Sequence, residues 1–451
     1  MSEAPKLAIK EVYLSERAVK LRLPFQFGST EVRETAEKYC EIVAEIGGKR
    51  VQGFSAQLMV PRWFDKRAGL TNEDTIDALR QTVVAAVNVA TGAGQSGSVA
   101  SLSSTIRAAA PKLMSADMPK LAAGFGPALL EMALIDALCR HTGLPFWKAA
   151  AEDIFGFGAH LPADLSSQDF AAVRATIKAP STIALRHTIG FDAPLVEKPA
   201  DAPADGQPVT LAEVIARTGI KAWKIKLKGD PEADSARLLA LQTVLAGHMD
   251  GGITLDANEQ YTPDSFRLLL RRVAAPDLAE LAGRIRFYEQ PFAREIALQT
   301  PADFGVPIVI DESDDSLDAF AHALALGWAG TSIKSCKGVL RALINMARAK
   351  ANGALISGED LTCQPGLCWT QDTAMAAACG VQDIERNGHH FAGGMQGASN
   401  AERVATLSAH PDIFLQDNNG IGLDIQNGRV AISSLNQPGF GSSGALMKQT
   451  N

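Results

Sequence analysis

Ala222-Trp223-Lys224-Ile225-Lys226-Leu227 is a short apolar run interrupted by two lysines. A helical pattern from Ala233 to Ala246 follows it, and then Ile253-Thr254-Leu255-Asp256. A short strand, a helix and a second short strand make one βα unit of a parallel sheet. The pattern repeats outward. Upstream, Ile183-Ala184-Leu185 precedes the helix-like Leu211-Ala212-Glu213-Val214-Ile215-Ala216. Downstream lie a helix from Pro263 to Val273, Ile285-Arg286-Phe287-Tyr288-Glu289, and Pro307-Ile308-Val309-Ile310-Asp311 with a helix near Leu317 to Ala325. Gly330-Thr331-Ser332-Ile333-Lys334, a helix from Val339 to Ala351 and Ala354-Leu355-Ile356-Ser357 complete the series. An unbroken run of such units favours an α/β fold of the closed (β/α)₈ TIM-barrel type over a doubly wound sheet.

The chain before this run reads differently. Ala8 to Leu14 and Ala18 to Leu23 roughly alternate and predict two strands, the second stopping at Pro24. Ile76, Leu79, Val83 and Val87 share one face of a helix, and Ala122 to Arg140 repeats that period before the stop signals Gly143 and Pro145. The expected organisation is an N-terminal α+β capping domain over 1–160 and a modified barrel over 161–451, whose last segment returns to the capping domain. Two tracts exceed what a barrel of ~250 residues needs. Phe191 to Gln207, with Pro194, Pro199 and Pro203, reads as a surface loop after the first barrel strand, and Cys363 to Gly394 as a second long insert. Specificity is expected to reside there.

Composition narrows the function. Among 451 residues, 50 are acidic and 43 are Lys or Arg, for a net charge of −7. That balance argues against a nucleic-acid or anionic-membrane partner, which would require a basic field. The start, Met1-Ser2-Glu3-Ala4-Pro5-Lys6, lacks a signal-peptide pattern, and no apolar run is read as approaching the ~20 residues of a bilayer span. Cys40, Cys139, Cys336, Cys363, Cys368 and Cys379 are too sparse for a disulfide scaffold. The expected setting is a reduced cytoplasm. Gly92-x-Gly94-x-x-Gly97 fits a dinucleotide fingerprint, but the helical spacing through Val87 favours a helix ending at the glycines.

The chemistry lies in the charges. Strands of a parallel barrel are buried, so an ionised side chain on one needs a partner. Yet Lys224 and Lys226 end one strand, and Asp256, Glu289, Asp311 and Lys334 end the next four in turn. Strand ends on the C-terminal face of a barrel converge on one mouth. Three carboxylates there repel one another until a divalent cation joins them, and all-oxygen ligation favours Mg²⁺, with Mn²⁺ or Ca²⁺ as substitutes. Lysines beside such a cation are expected to have lowered pKa values and to serve as bases. A bound carboxylate would offer its α-proton to one of them, and the metal would stabilise the resulting enediolate. Single acids in these positions are ordinarily helix caps, and Lys228 is read as a solvated lysine.

Five words carry a resemblance: Lys224-Ile225-Lys226, Leu255-Asp256-Ala257-Asn258, Tyr288-Glu289-Gln290-Pro291, Ile310-Asp311-Glu312-Ser313 and Ser332-Ile333-Lys334. In this order they resemble the enolase superfamily, in its muconate-lactonizing-enzyme-like branch beside mandelate racemase. Glu131 to Ala137 with Gly143-Leu144-Pro145, and Gln437-Pro438-Gly439-Phe440-Gly441, extend the resemblance to both ends of the fold. It implies that Asp256, Glu289 and Asp311 bind Mg²⁺ and that Lys226 and Lys334 are acid/base groups on opposite substrate faces. It further implies that Lys224 contacts the substrate carboxylate, that Asn258 and Glu312 support these groups, and that the protein is a homo-oligomer. Two departures stand out. Gly338 is alone where the family has a Gly-Gly pair, and Val51 to Gln57 replaces a Gly-x-Gly-Glu word.

Other residues are open to two readings. Glu359 and Asp360 either contact substrate or belong to a loop. Phe25, Phe27, Phe54, Trp63 and Phe64 are either core or a lid over the mouth, with the lid preferred. His389-His390 reads as a structural pair, and Cys363 and Cys368 as packing. The expected activity is Mg²⁺-dependent α-proton abstraction from a small-molecule carboxylate, giving racemisation, epimerisation or cycloisomerisation. The same lysines also suit β-elimination, as in an acid-sugar dehydratase. The competing functions are a metal-independent Schiff-base lyase or aldolase and a non-catalytic barrel.

Overall fold

The computed structural model describes residues 4–92 and 95–442, so Gly94 of the glycine fingerprint and the opening Met1-Ser2-Glu3 lie outside the described residues. The N-terminal unit is an antiparallel sheet of β1 (Leu7–Phe27), β2 (Thr30–Ile46) and β3 (Lys49–Leu58) in the order β1-β2-β3. The two strands expected before Pro24 are one. The β1–β2 register shifts between Ile9 and Glu11 and again between Lys20 and Phe25. Pro24 falls in the second irregular interval, where a residue without an N–H breaks no ladder bond.

Helices α1 (Asn72–Ala90), α2 (Val99–Ala109) and α3 (Phe125–Thr142) follow. Val83 to Val89 are therefore helical, as the spacing predicted, and Gly97 pairs with Leu7. Residues Phe125 to Cys139 of α3 are all buried. Together with the preceding turn, Lys120–Thr142 is long and apolar enough to cross a bilayer, which corrects the expectation that no run approaches that length. Its most apolar window is 94% buried, which identifies the core helix of this domain. Gly53 of β3 lies against α3, where an added Cβ would fall on the Ala133 carbonyl oxygen.

The second unit is a closed barrel of eight parallel strands. These are β4 (Thr182–Ile189), β5 (Ala222–Lys226), β6 (Gly252–Asp256), β7 (Ile285–Glu289), β8 (Ile308–Ile310), β9 (Gly330–Ile333), β10 (Leu355–Gly358) and β11 (Asp383–Glu385). They pair in sequence order, and β11 returns to β4 through Asp383↔Ala184 and Glu385↔Arg186. Strand β11 lies inside the tract from Cys363 to Gly394, and so does the helix Leu367–Ala378. That tract is thus barrel wall and not an insert. The Phe191–Gln207 stretch is a loop as expected, between β4 and the helix Leu211–Thr218.

Registers set the charges at one height. Lys226 is level with Asp256, and Asp256 with Glu289. Beyond the barrel, β12 (Phe414–Asp417) and β13 (Gly420–Leu423) form a hairpin, and β14 (Arg429–Ala431) adds antiparallel to β4. The chain then returns to α3. The Phe440 N–H donates to Asp136 at 2.7 Å, and the Phe440 ring meets Phe146 at 4.4 Å. One cysteine expectation is corrected. Cys363 and Cys368 form a disulfide, their Cα atoms 6.0 Å apart, while Cys40, Cys139, Cys336 and Cys379 are free and buried. The loop between β10 and the next helix brings both sulfurs onto Gln57 and Asp372.

Candidate active site

Side chains alternate along a strand, so Lys224 and Lys226 both face the barrel interior while Ile225 faces the helices. Lys226 Nζ donates to Asp256 at 2.6 Å and to Asn258 Oδ1 at 2.9 Å. The Asn258 amide in turn donates to Glu312 at 3.1 Å. Lys224 Nζ is the more central group. It lies 2.9 Å from Glu289, 3.0 Å from Asp256, 3.0 Å from Glu359 and 2.9 Å from Glu385. Lys334, just past β9, donates to Asp311 at 2.8 Å and to Glu359 at 2.6 Å. All of these groups are buried.

The predicted residues therefore meet at one mouth. Asp256, Glu289, Asp311, Lys224, Lys226 and Lys334 form one network, with Asn258 and Glu312 behind it. Glu359 joins this network, because it bridges Lys224 and Lys334 and also accepts from Arg186 at 3.2 Å. Asp360 lines the same cavity and pairs with Arg386. Lys228 is half-exposed on Asp192, as read. The aromatics divide. Phe25, Phe27 and Trp63 line the cavity, with Lys226 Nζ 5.8 Å from the Phe25 ring centre and Lys334 Nζ 5.2 Å from that of Trp63. Phe54 does not line it. Its N–H is held by Asp136, its carbonyl by Gln371 and its ring by Arg140, so it packs β3 onto α3. Phe64 is likewise core, 5.2 Å from Phe125.

Several members of the network escaped the sequence reading. Glu385 ends β11, a strand too short to recognise. Arg186 sits mid-strand in β4 and donates to Asp383 and Ser357, and its charge inside an apolar run was the available signal. Lys337 lies 2.9 Å from Asp311 and donates to the Ser332 hydroxyl at 2.9 Å, while Ser332 itself donates to Asp311. Lys66 reaches across from the capping domain to Glu259 and to the Asn258 carbonyl.

One carboxylate oxygen each from Glu289, Asp311 and Glu359 lies within 4.8 Å of the others. Asp256 presents its oxygen to Lys224 and Lys226 instead. The donor set fits a hard divalent cation, and Glu289 shows why. Its Oε2 is buried with no hydrogen-bond partner among the described residues. Burial, and then repulsion from Asp256 and Glu359, outweigh Lys224 and hold the Glu289 carboxyl well above its ordinary pKa. A cation at this point would pair the orphaned oxygen and favour ionisation.

The lysines differ from expectation. Burial opposes their charged forms, yet Asp311 and Glu359 hold Lys334, and Asp256 and Glu289 hold Lys224, well above the usual lysine value. The reason is that carboxylates are the dominant close charges. The lowering foreseen for lysines beside a metal requires a cation to offset those carboxylates.

Comparison with known proteins places this geometry. The family described as enolase C-terminal domain-like matches residues 209–443. A hydrophobic dipeptide epimerase of Citrifermentans bemidjiense is 30% identical over 155 residues, which span 33% of this chain and 31% of that protein. Two solved structures share the fold across nearly the whole chain. One is a mandelate racemase/muconate lactonizing protein of Herpetosiphon aurantiacus, with a TM-score of 0.62 and 19% identity over 96% of this chain and 98% of that one. The other is a dipeptide epimerase of Enterococcus faecalis complexed with Mg and L-Leu-L-Tyr, with a TM-score of 0.63 and 16% identity over 96% and 99%.

Proposed function

Because the chain belongs to the enolase C-terminal domain-like family, in the muconate-lactonizing-enzyme-like branch of the enolase superfamily, we propose that it is an isomerase acting on the α-proton of a carboxylate substrate. The observation that carries this reading is the placement of Lys226 and Lys334. They lie at the ends of β5 and β9, four strands apart in a ring of eight, and border one buried cavity. A substrate between them presents one face to each. One lysine, as the neutral amine, takes the α-proton, and the other, as the ammonium, returns a proton to the opposite face. That exchange inverts the carbon, which is racemisation or epimerisation. If the carbanion instead closes on or expels a group within the substrate, the same lysines serve cycloisomerisation.

Lys224 holds Asp256, Glu289, Glu359 and Glu385 together, and Asn258 fixes the Lys226 ammonium from the other side. Mg²⁺ is the proposed cofactor, with Mn²⁺ as a substitute. Glu289 and Asp311 would hold it, with Asp256 or Glu359 completing the set. Such a cation supplies a Lewis acid that acidifies the α-C–H of a bound carboxylate. The name of the Citrifermentans relative and the dipeptide in the Enterococcus structure favour epimerisation of a dipeptide as the first activity to test.

The test is ¹H NMR of a panel of dipeptides and other carboxylic acids in D₂O with Mg²⁺. Exchange of the α-proton is expected, with loss on EDTA treatment and in the Lys226→Ala/Lys334→Ala double variant. Undiminished exchange in that double variant refutes the mechanism. Reductive trapping of a carbonyl substrate by borohydride, with activity indifferent to EDTA, would transfer the chain to the Schiff-base class.

A further inference from the structure

We infer that the remote end of the carboxylate substrate is an uncharged, mainly apolar group, and that it occupies the cavity between the tip of β1 and the loop that follows β4. The inference rests on the isomerase reading only for the carboxylate end of the ligand. The reaction cavity has a volume of 30 Å³. That space holds little more than a carboxylate end, so the remainder of a substrate lies beyond this cavity.

A second cavity of 330 Å³ lies next to the first. The Phe25 and Phe391 rings and Thr188 separate them. The Phe25 ring covers Lys226 on one side and meets the Phe391 ring at 4.8 Å on the other, and Phe391 lines the larger cavity. Thr188 spans the same partition. It lines the larger cavity while its hydroxyl donates to Glu385, which lines the smaller.

The chemistry of the lining selects the ligand. Its buried lining is Ile189, Phe191, Val209, Leu211, Val214 and Phe391, with His187 and Thr188 the buried polar members. The charges around it are engaged elsewhere. Arg22 donates to Asp205 at 2.6 Å and to the His390 carbonyl at 2.8 Å, Arg33 pairs with Glu31, and Asp192 accepts from Lys228 at 3.0 Å. Asp201 sits exposed at the rim. His187 also lines the cavity, and burial pushes its imidazole down to about 3, so it is neutral and calls for no anion. A carboxylate entering here would lose its water without gaining a free counter-ion, because Arg22 and Arg33 are already paired. An aryl or branched alkyl group would lose only apolar exposure.

The test uses three carboxylates and the Mg²⁺-loaded protein in titration calorimetry: pentanoate, 5-phenylpentanoate and hexanedioate. The phenyl compound is expected to bind at least tenfold more tightly than pentanoate, and hexanedioate no more tightly. Ala193→Phe and Ala202→Phe each fill the cavity from a half-buried loop position, and either is expected to abolish the phenyl advantage. Mg²⁺ titration of the same samples reports an intact metal site. No phenyl advantage, tighter binding of hexanedioate, no binding of any of the three, or an advantage that survives both substitutions overturns the inference. Proton exchange is not read in this experiment, so a protein that binds but does not exchange refutes the isomerase reading alone.

Discussion

Lys334→Ala separates the two halves of the proposed reaction. Removing the ammonium strips Asp311 and Glu359 of one partner each, but neither is left alone. Asp311 keeps Lys337 at 2.9 Å and the Ser332 hydroxyl. Glu359 keeps Lys224 at 3.0 Å and Arg186 at 3.2 Å. The stability loss is therefore put at roughly 1–2 kcal/mol, below the about 3–5 kcal/mol that follows loss of one partner from an isolated buried pair. The catalytic loss is larger. A positioned acid/base group contributes typically 10²–10⁴-fold, or about 3–5 kcal/mol of barrier. It is also one-sided. Lys226 remains, held by Asp256 and Asn258, so the stereoisomer whose α-proton faces Lys226 continues to exchange.

The assay is ¹H NMR in D₂O on separate samples of the two stereoisomers of an exchanging substrate. Lys334→Ala is expected to retain exchange of one stereoisomer and lose conversion to the other. Lys226→Ala is expected to show the reverse preference. Thermal unfolding of the same samples checks that the fold persists. Equal loss for both stereoisomers in both variants, with folding intact, would refute the two-sided arrangement and leave one lysine with a purely structural role.

Three further outcomes follow from other parts of the structure. Glu37 is buried beside Arg17, Tyr39 and Glu402, and burial raises its pKa from 4.5 to about 7. The folded state thus keeps a proton that the unfolded chain releases, and stability falls as pH rises between those values. Urea unfolding of Glu37→Gln at pH 5 and pH 8 is expected to show a smaller fall than wild type, and an unchanged difference would exclude Glu37 as the source. Gly53→Ala pushes a methyl group onto the Ala133 carbonyl, and a loss of about 1–3 kcal/mol, typical of overpacking, is expected in thermal unfolding. Arg294 donates to the Trp63 and Phe64 carbonyls at 3.1 and 3.2 Å while pairing with Glu259, so Arg294→Met is expected to raise KM about tenfold with less change in kcat. Faster amide exchange over residues 62–66 would accompany it, and an unaltered exchange rate there would argue against a tether.

The barrel and its charged mouth were legible because the parallel registers repeat. Each strand from β5 to β9 is an apolar run ending at or just before a charged residue, and burial makes such charges conspicuous. Strand β11 was hidden because Asp383-Ile384-Glu385 has one apolar residue between two acids, and no periodicity can be read from three positions. Its acids serve opposite ends of the barrel. Asp383 pairs with Arg186 and Arg286, and Glu385 reaches Lys224 at the mouth. The capping aromatics could not be sorted, since a sequence gives no sign of whether a large ring faces a helix or the barrel mouth. Phe54 and Trp63 lie nine residues apart and have opposite fates. The Cys363–Cys368 pairing departs from the expectation of scattered reduced cysteines, because spacing alone does not show the turn after β10 that brings the two sulfurs together.

Which wall yields to a substrate follows from what stands behind each one. Trp63 closes the cavity over Lys334, and its loop is tied to the barrel by Arg294 and by Lys66 on Glu259. Moving it costs charge-assisted hydrogen bonds, about 1.5–3 kcal/mol each. Phe25 closes the cavity over Lys226 and is backed by the Phe391 ring at 4.8 Å, an apolar contact, so its ring turns without breaking an ion pair. Its neighbours in β1 confirm the asymmetry, because the β1–β2 ladder is interrupted from Lys20 to Phe25 and resumes only at Phe25↔Val32. Under the proposed function, substrate is expected to enter on the Lys226 side. Truncation of Phe25 should ease entry for bulky carboxylates, whereas release of the Trp63 loop should loosen the hold on all of them alike.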